Sequence, residues 1–377
     1  MSSTSRPSTS PTGAGKRPER ARPEHNDRSD RPALPGLDVR ALQEWMLSNE
    51  PELVGAVPLS ANLIAGGRSN LTYAIRGAAE PLVLRRPPLG HVQATAHDME
   101  REFRVISALR GSRVPVPRAI RYVDDPEAGV DAPFYLMERV KGRTITSRAD
   151  NAAYSPSQLR ELSLDLARTL AHLHSIDPAE VGLGDFGRPD GFLVRQVERW
   201  GTQYDGSRSR SLPELDALQK ELHQGIPETR RSSIIHGDYR LDNALVRDIA
   251  GSPQLSAILD WEMATLGDSL TDLGLLGLYW NINSLPDVPS GVVPSSVSIE
   301  DGYPSFEQLV DEYAETAGVT VPELPWYLAL AAFKLAVILE GIHFRFQAGQ
   351  TVGAGFDQIG RLVTPLALAG RRFLAGA

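Results

Sequence analysis

Three residues with oxygen-bearing side chains follow short apolar runs in the second half of the chain: Asp238, Asn243 and Asp260. The first two lie in the segment 236–243, His-Gly-Asp-Tyr-Arg-Leu-Asp-Asn, and the third begins an Asp-Trp-Glu tripeptide. Phosphoryl transfer uses such a trio, because one carboxylate accepts the proton of the attacking hydroxyl while an amide oxygen and a second carboxylate bind Mg²⁺. The spacing therefore predicts Asp238 as the catalytic base and Asn243 and Asp260 as the metal ligands.

Buried strands must present these side chains. Apolar runs predict a hairpin-like platform of strands near residues 234–236, 244–247 and 256–260. Five further strands are predicted before residue 142, near 62–65, 71–76, 82–86, 119–123 and 134–140, with helices near 37–48 and 97–110. Beyond residue 142 helical spacing dominates, near 155–175, 268–281, 305–317, 325–347 and 357–374. The pattern predicts an α+β protein with a small, mainly β N-terminal lobe and a larger, mainly α C-terminal lobe.

The motif His-Gly-Asp-x-x-x-x-Asn, followed by an apolar strand and Asp-Trp-Glu, resembles the signature of the aminoglycoside phosphotransferase and choline kinase-like family of small-molecule kinases. It parallels the catalytic-loop and Asp-Phe-Gly elements of protein kinases. A Gly-Asp…Asp-Leu element at 267–273 is similar to one in that family, with Ser269 where proline is usual. The resemblance covers roughly residues 55–350 and looks especially like the branch fused to acyl-CoA dehydrogenases. It implies a protein-kinase-like two-lobed fold, ATP and Mg²⁺ as cofactors, and transfer of a γ-phosphate to the hydroxyl of a small molecule.

Composition and this resemblance together predict a division of the chain into three parts. The parts are a disordered, Pro- and Ser-rich tail at 1–36, an N-terminal nucleotide-binding lobe at 37–141 with its hinge at 137–141, and a helical C-terminal lobe at 142–377 that carries the catalytic loop 236–243 and the metal-binding segment 260–262.

A turn between the first two strands is implied to lie over the nucleotide phosphates. It consists of Gly66, Gly67, Arg68, Ser69 and Asn70, whose backbone N–H groups can cradle anionic oxygens. A Gly-Gly turn is equally typical of an ordinary tight hairpin.

The third strand, 82–86, occupies the place of the strand that carries the phosphate-pairing lysine in the family. Alternation along a strand puts Val83 and Arg85 on one face, so Arg85 is the candidate cation in place of lysine. The resemblance implies Glu102 on the following helix as its partner, with Glu100 as the fallback. An exposed strand arginine with no role is the alternative. If Arg86 instead faced the cleft, the strand register would differ by one residue.

The segment 134–142 resembles the hinge between the two lobes. By that resemblance Met137 is the gatekeeper, and the Glu138 carbonyl and the Val140 N–H hydrogen-bond to adenine. An ordinary edge strand would have the same sequence pattern.

Other polar residues near the motif are interpreted as structural. His236 is expected to brace the catalytic loop by hydrogen bonding, and Asp268 and Asp272 are expected to be structural residues on the following helix. His172 and His174 are interpreted as packing or capping groups within a helix.

Composition excludes several classes of protein. The 377 residues include no cysteine, which excludes disulfides, zinc–thiolate sites, iron–sulfur clusters and thiol nucleophiles. A net charge of −8 argues against a nucleic-acid partner. The tail lacks the apolar segment of a secretion signal, so a cytoplasmic location is expected. The apolar stretch 324–346 contains charged residues and is predicted to be a buried helix, with no membrane partner.

The acceptor stays open at this level. No Ala-Pro-Glu element or long activation segment follows Asp260, so no protein substrate is expected. Residues 144–377 carry 18 basic and 30 acidic groups, a net charge of −12 that would suit a polycationic aminoglycoside. The resemblance to the acyl-CoA dehydrogenase-fused branch instead implies a hydroxylated acyl thioester. The insert 191–231 and the C-terminal helices are predicted to line the acceptor pocket. A catalytically weak nucleotide-binding protein is the alternative from another class.

Overall fold

The structure is a computed structural model that describes residues 34–64, 70–89, 98–286, 288, 293, 295–322, 324–350, 356 and 358–376. The predicted disordered tail lies outside the described residues up to position 33. Four residues of the predicted phosphate turn, Gly66, Gly67, Arg68 and Ser69, also lie outside them. Residues Leu34–Ala377 form one unit.

The N-terminal half of this unit is built on a five-stranded antiparallel sheet. Its strands, in the spatial order β1-β2-β3-β5-β4, are β1 (Ser60–Leu63), β2 (Leu71–Arg76), β3 (Leu82–Arg86), β4 (Ala119–Val123) and β5 (Phe134–Glu138), with helices α1 (Val39–Asn49) and α2 (Met99–Ala108) beside them. Four of the five predicted strands begin at the predicted residue, whereas β1 lies two residues earlier than predicted.

The period-2 pattern of β3 and β5 divides the apolar side chains between two cores. Leu82 and Leu84 pack with residues of α1, whereas Val83 packs in the cluster that includes residues of α2 and the C-terminal helices. Tyr135 on β5 also belongs to the second cluster. Because side chains alternate along a strand, Arg85 lies on the same face as Val83, toward α2.

Helix α2 presents one acidic residue to the sheet and one to solvent. Asp98 caps the helix by accepting a hydrogen bond from the Arg101 backbone N–H at 2.9 Å. Glu102, Val105 and Ile106 are buried at the i, i+3, i+4 spacing of one helix face. Glu100 lies off that face and is exposed, which is why Glu102 and not the fallback Glu100 reaches the sheet.

The C-terminal half is mainly helical. Its helices are α3 (Pro156–Ser175), α4 (Phe192–Ser207), α5 (Pro213–Gln224), α6 (Leu270–Asn281), α7 (Phe306–Ala317), α8 (Pro325–Gln347) and α9 (Val363–Ala375). Helix α8 is long and apolar enough to cross a membrane by composition, but α4, α5, α6 and α9 pack around it, in agreement with the predicted buried helix. Helices α4 and α5 occupy much of the predicted insert 191–231, for which no helix was expected.

Four short strands surround the catalytic motif. These are β6 (Ser232–Ile235), β7 (Ala244–Ile249), β8 (Ser252–Ile258) and β9 (Thr265–Asp268). The prediction of one hairpin-like platform is wrong in part, because β7 pairs with β8 but β6 pairs with β9, a strand the sequence analysis missed. The catalytic loop therefore connects two separate two-stranded sheets. The two-lobed α+β fold class is confirmed.

Candidate active site

Arg85 lies at the centre of a group of three acidic side chains. Its Nε is 3.0 Å from both carboxylate oxygens of Glu102 on α2. One terminal nitrogen is 2.5 Å from Oδ1 of Asp260, and Glu262 lies farther away at 3.8 Å. The predicted Arg85–Glu102 ion pair is confirmed, and the same arginine also contacts the predicted metal ligand Asp260.

The neighbouring Arg86 has a different environment, which settles the strand register. Its guanidinium donates to the Gly36 carbonyl at 2.6 Å and pairs with Asp131 on the other side of the sheet. Arg85, and not Arg86, therefore faces the cluster of acidic groups.

Glu102 is almost completely buried, and its charge depends on Arg85. Burial raises the pKa of Glu102 above its ordinary value, although the Arg85 guanidinium and a hydrogen bond from the Tyr135 hydroxyl act in the opposite direction. Removing Arg85 would leave a buried carboxylate with no cation beside it, which is a costly arrangement.

Asp260 has an unusual backbone conformation. It follows β8 with φ 68° and ψ 57°, in the left-handed region that non-glycine residues rarely adopt. The residue after it, Trp261, donates its indole N–H to the Ile258 carbonyl at 3.0 Å and packs on the His236 ring. These contacts hold the turn, and the strain of the left-handed residue, of order 1–3 kcal/mol, is typical of functional sites.

The catalytic loop is held from behind by Asp272 on α6. Its carboxylate accepts hydrogen bonds from the backbone N–H groups of His236 at 2.7 Å and Gly237 at 2.8 Å, and His174 of α3 lies 3.3 Å away. Burial on its own raises the pKa of Asp272, but the hydrogen bond and charge of His174 outweigh this and lower it. Asp272 and His174 are thus structural, as predicted. Their shared role in the loop could not be inferred from the sequence.

His236 braces the loop, as the sequence analysis predicted. Its Nε2 is 2.9 Å from the Leu259 carbonyl, which only accepts, so this nitrogen carries the proton. Its Nδ1 then accepts a hydrogen bond from the Asp238 backbone N–H at 3.2 Å. The imidazole therefore connects the residue before Asp260 to the backbone of Asp238.

Asp238 and Asn243 are in direct contact. The Asn243 side-chain amide donates to the Asp238 backbone carbonyl and to its carboxylate Oδ2, both at 2.9 Å. The backbone N–H of Leu259 donates to the Asn243 carbonyl at 2.8 Å, which places Asp260 one residue away from this contact. The structure thus brings together the three residues of the predicted phosphoryl-transfer trio.

Asn243 and Asp260 fit a magnesium ion by the chemistry of their donor atoms. Mg²⁺ binds oxygen ligands and retains several waters, so one amide oxygen and one carboxylate are sufficient protein ligands. The hydrogen bonds of the Asn243 side chain in the described part of the chain use its amide nitrogen, which leaves the amide oxygen for a cation. Within the same part of the chain, no three His, Asp or Glu side chains form a ready-made metal cluster. The ligand assignment stays a prediction.

The remaining predicted nucleotide residues lie on β3 and β5 or just after β5. Val83 pairs across the sheet with Met137, and both side chains belong to the core cluster on the Arg85 side. Glu138 ends β5, and Val140 follows it just before Arg143 forms reciprocal backbone hydrogen bonds with β7. Their roles toward adenine stay predictions.

Asn70, the described residue of the predicted phosphate turn, connects this turn to the metal-binding segment. It is buried, and its side-chain amide donates to the Glu262 carboxylate at 3.0 Å. Sequence reasoning placed Asn70 near the phosphates but did not predict this contact.

Two cations beside Asp238 were not identified as site residues from the sequence. Arg240 lies 3.7 Å from the Asp238 carboxylate, and its guanidinium covers the Tyr279 ring at 4.7 Å. Lys334 of α8 donates to the Gly237 carbonyl at 2.6 Å. The lysine among the apolar residues 328–339 of α8 was the available signal for Lys334, although no local pattern indicated its partner.

Gly237 accepts this arrangement because it lacks a side chain. Its φ is 80°, and a Cβ at this position would lie 2.6 Å from the Met263 backbone carbonyl. Any other residue would displace the segment that follows Asp260.

A sheet lobe with the Arg85–Glu102 pair, joined to a helical lobe in which Asp238 contacts Asn243, defines a kinase-like fold. Comparison with known proteins narrows this class. The sequence model of the phosphotransferase enzyme family matches residues 60–291. The chain belongs to this family, the aminoglycoside phosphotransferase family.

Individual relatives agree with this assignment. Acyl-CoA dehydrogenase family member 11 of Rattus norvegicus is 32% identical over 341 residues, which are 89% of this chain and 43% of that protein. The chain therefore spans less than half the length of this relative. A crystal structure of a candidate aminoglycoside phosphotransferase from Ralstonia eutropha is 31% identical, with a TM-score of 0.77, over 90% of this chain and 99% of the other.

A more distant structure shares the fold. An aminoglycoside phosphotransferase solved as a ternary complex with AMP-PNP and hygromycin B has a TM-score of 0.57 at 15% identity, over 89% of this chain and 99% of the other.

Proposed function

We propose that this protein transfers the γ-phosphate of ATP, with Mg²⁺, to a hydroxyl group of a small molecule. One observation carries the proposal: Asp238 contacts Asn243, Leu259 just before Asp260 is hydrogen-bonded to Asn243, and Asp260 itself contacts Arg85 of the Arg85–Glu102 pair. This is the arrangement of base, metal ligands and phosphate-pairing cation that phosphoryl transfer requires.

The side chains divide the work of the reaction. Asp238 accepts a hydrogen bond from the attacking hydroxyl and orients it, and later takes its proton. Asn243 and Asp260 would hold Mg²⁺, which neutralises charge on the phosphates when bound. Arg85 provides a guanidinium that pairs with phosphate oxygens, kept in place by Glu102. Arg240, beside Asp238, adds positive charge where the transferred group must pass.

The charge around Asp238 bears on the choice of acceptor. Arg240 and Lys334 lie beside the catalytic loop, and Arg199 of α4 is close enough to Lys334 to lower its pKa. Asp242 lies 3.6 Å from Arg240 and offsets part of this positive charge, whereas the negative charge of the rest of the lobe is largely screened beyond about 10 Å. We therefore propose an anionic acceptor, a hydroxylated acyl-CoA or a related hydroxy acid, in preference to a polycationic aminoglycoside. The similarity to acyl-CoA dehydrogenase family members supports this choice.

A phosphorylation panel tests both parts of the proposal. Purified protein is incubated with MgATP and, separately, hydroxyacyl-CoAs, free hydroxy acids, aminoglycosides, choline and sugars, and ADP release is compared with product mass. Turnover restricted to anionic acceptors is expected. Turnover only with aminoglycosides would contradict the acceptor proposal, but it would leave the kinase proposal intact.

A catalytically weak nucleotide-binding protein is the competing function. It predicts saturable ATP binding with no phosphorylated product for any acceptor, and a binding titration run beside the panel separates the two. A cytoplasmic location, with no nucleic-acid, membrane or protein partner, is part of our proposal and rests on the sequence.

A further inference from the structure

Lys334 places a positive charge inside the helical bundle. It lies on α8, between buried residues Phe333 and Leu335, and its Nζ is 5.4 Å from the centre of the Trp200 ring. Burial lowers the pKa of Lys334, as expected for an amine removed from water. Lys334 is half-buried, and an amine withdrawn from water is unfavourable unless it is hydrogen-bonded, so its partner is the informative feature.

That partner is the backbone of the catalytic loop. Lys334 donates to the Gly237 carbonyl at 2.6 Å, and this carbonyl belongs to the same planar peptide group as the Asp238 N–H. The Asp238 N–H in turn donates to His236 Nδ1 at 3.2 Å. Both polar atoms of the Gly237–Asp238 peptide are therefore held, one by Lys334 and one by His236.

This peptide needs to be held, because Gly237 adds rotational freedom. Glycine populates many backbone conformations, and the φ of 80° at Gly237 is one of several open to it. Rotation of the peptide would move the Cα–Cβ bond of Asp238 and redirect its carboxylate. Asp272 fixes the preceding N–H groups but makes no contact with the Gly237 carbonyl.

We propose that Lys334 is a positioning residue for phosphoryl transfer, which orients the Gly237–Asp238 peptide so that the Asp238 carboxylate faces the acceptor hydroxyl. The catalytic part rests on the proposed function, whereas the restraint on the loop does not. Lys334 acts through the backbone and touches neither the phosphates nor the acceptor.

The charged groups that face Lys334 come from three elements. Asp238 and Arg240 belong to the catalytic loop, Asp272 to α6 and Arg199 to α4. The two aspartates favour the ammonium form, and the two arginines disfavour it. Lys334 is therefore expected to lose its proton below the ordinary lysine pKa of about 10.4. The charge-assisted hydrogen bond from Lys334 to the Gly237 carbonyl is then replaced by a weaker, neutral one.

Two variants and a control test the proposal. Lys334→Met removes the donor at similar length, Lys334→Arg keeps a permanently charged donor, and Lys220→Met removes an exposed lysine on α5. With MgATP and the best acceptor of the panel, Lys334→Met is expected to lower kcat by about 10- to 100-fold, the size expected for a misplaced catalytic group. The KM for ATP should stay within about twofold, because no nucleotide contact changes. Lys220→Met should match the wild type.

A pH profile distinguishes positioning from a purely structural role. In the wild type, kcat should fall on the alkaline side as Lys334 loses its proton. In Lys334→Arg this limb should move to higher pH, because the guanidinium stays charged. An alkaline limb at the same pH in Lys334→Arg would contradict the proposal. A rise in the KM for the acceptor with unchanged kcat in Lys334→Met would also contradict it, because it would indicate that Lys334 contacts the acceptor directly.

Hydrogen exchange provides a readout that does not require turnover. Lys334→Met should increase exchange in peptides covering 236–243, with little change in β7–β8 and a melting temperature within a few degrees of the wild type. Unchanged exchange in this loop would overturn the proposal even if the protein had no kinase activity. Wild-type protein without turnover, combined with faster loop exchange in the variant, would contradict the proposed function while supporting the restraint.

Discussion

The proposed nucleotide side of the candidate site, around Arg85, and the proposed acceptor side, around Asp238, are organised by different interactions. On the nucleotide side, Arg85 is surrounded by the carboxylates of Glu102, Asp260 and Glu262, so side-chain charges determine the geometry. On the acceptor side, His236 and Asp272 hold the catalytic loop mainly through its backbone N–H groups.

This difference indicates how each side should respond to mutation. A charged cluster can exchange one partner for another when a charged ligand arrives, so its residues should affect nucleotide and metal affinity. A backbone held by several buried hydrogen bonds has one arrangement, so its residues should affect the rate of the chemical step and the stability of the fold. The following predictions test this division, from the largest expected effect to the smallest.

Asp260→Ala should abolish turnover. It removes the predicted metal carboxylate and a contact of Arg85, so it should also weaken nucleotide binding in the presence of Mg²⁺. Titration with MgATP and with ATP plus EDTA measures this, with the exposed Asp311→Ala as the control. Retention of the wild-type Mg²⁺ dependence would remove Asp260 from the metal site.

Asp238→Asn should lower kcat by about 10²–10⁴-fold, the usual range for the loss of a general base. Its affinity for ATP should hardly change, because Asp238 contacts Asn243 and Arg240 and not Arg85. Measurements of kcat, ATP Kd and melting temperature on one preparation separate this outcome from unfolding. Near-normal turnover in the folded variant would show that Asp238 is not the base.

Arg85→Ala should raise the KM for ATP and lower kcat by about 10- to 100-fold, because phosphate pairing and the orientation of Asp260 are both lost. It should also destabilise the fold by about 3–5 kcal/mol, since Glu102 is left buried without a cation. Arg85→Lys should be largely tolerated, and Arg76→Ala, at an exposed end of β2, is the control. Steady-state kinetics and urea unfolding measure both effects. An Arg85→Lys variant with the same kcat, KM and stability as Arg85→Ala would contradict the assignment.

Asp272→Asn should change kcat by less than about tenfold but reduce the free energy of unfolding by about 2–4 kcal/mol. The native structure lowers the pKa of this carboxyl, so its stabilising contribution is present above the unfolded pKa of about 3.9 and is lost as pH falls through the folded value. The stability difference between wild type and variant should therefore shrink in acid. Urea unfolding at pH 7 and pH 3.5 checks this, and a constant difference would contradict it.

Much of the N-terminal sheet follows from local sequence patterns. Strand alternation in 82–86 correctly placed Arg85 opposite the Arg86 face, and the family resemblance correctly gave Glu102, rather than the fallback Glu100, as its partner. The strand prediction succeeds because it depends on residues only a few positions apart, where backbone geometry dictates side-chain direction.

The acceptor side was harder to predict. Strand β9 was missed because its four residues have no alternating pattern and are stabilised by pairing with β6, about 30 residues earlier. The division of these four strands into two separate two-stranded sheets likewise depends on long-range contacts and leaves no local signal.

The sequence by itself determined the family, the His-Gly-Asp-x-x-x-x-Asn motif and the face of β3 that carries Arg85, because these lie in short segments with characteristic spacing. Only the tertiary structure decided that Lys334 holds Gly237, that His174 and Asp272 support the same loop, and that Arg240 and Lys334 lie near Asp238. Lys334 is 97 residues from Gly237, and His174 is 98 residues from Asp272. Such contacts depend on how helices pack against one another, and helix packing is set by the whole core and not by any one segment.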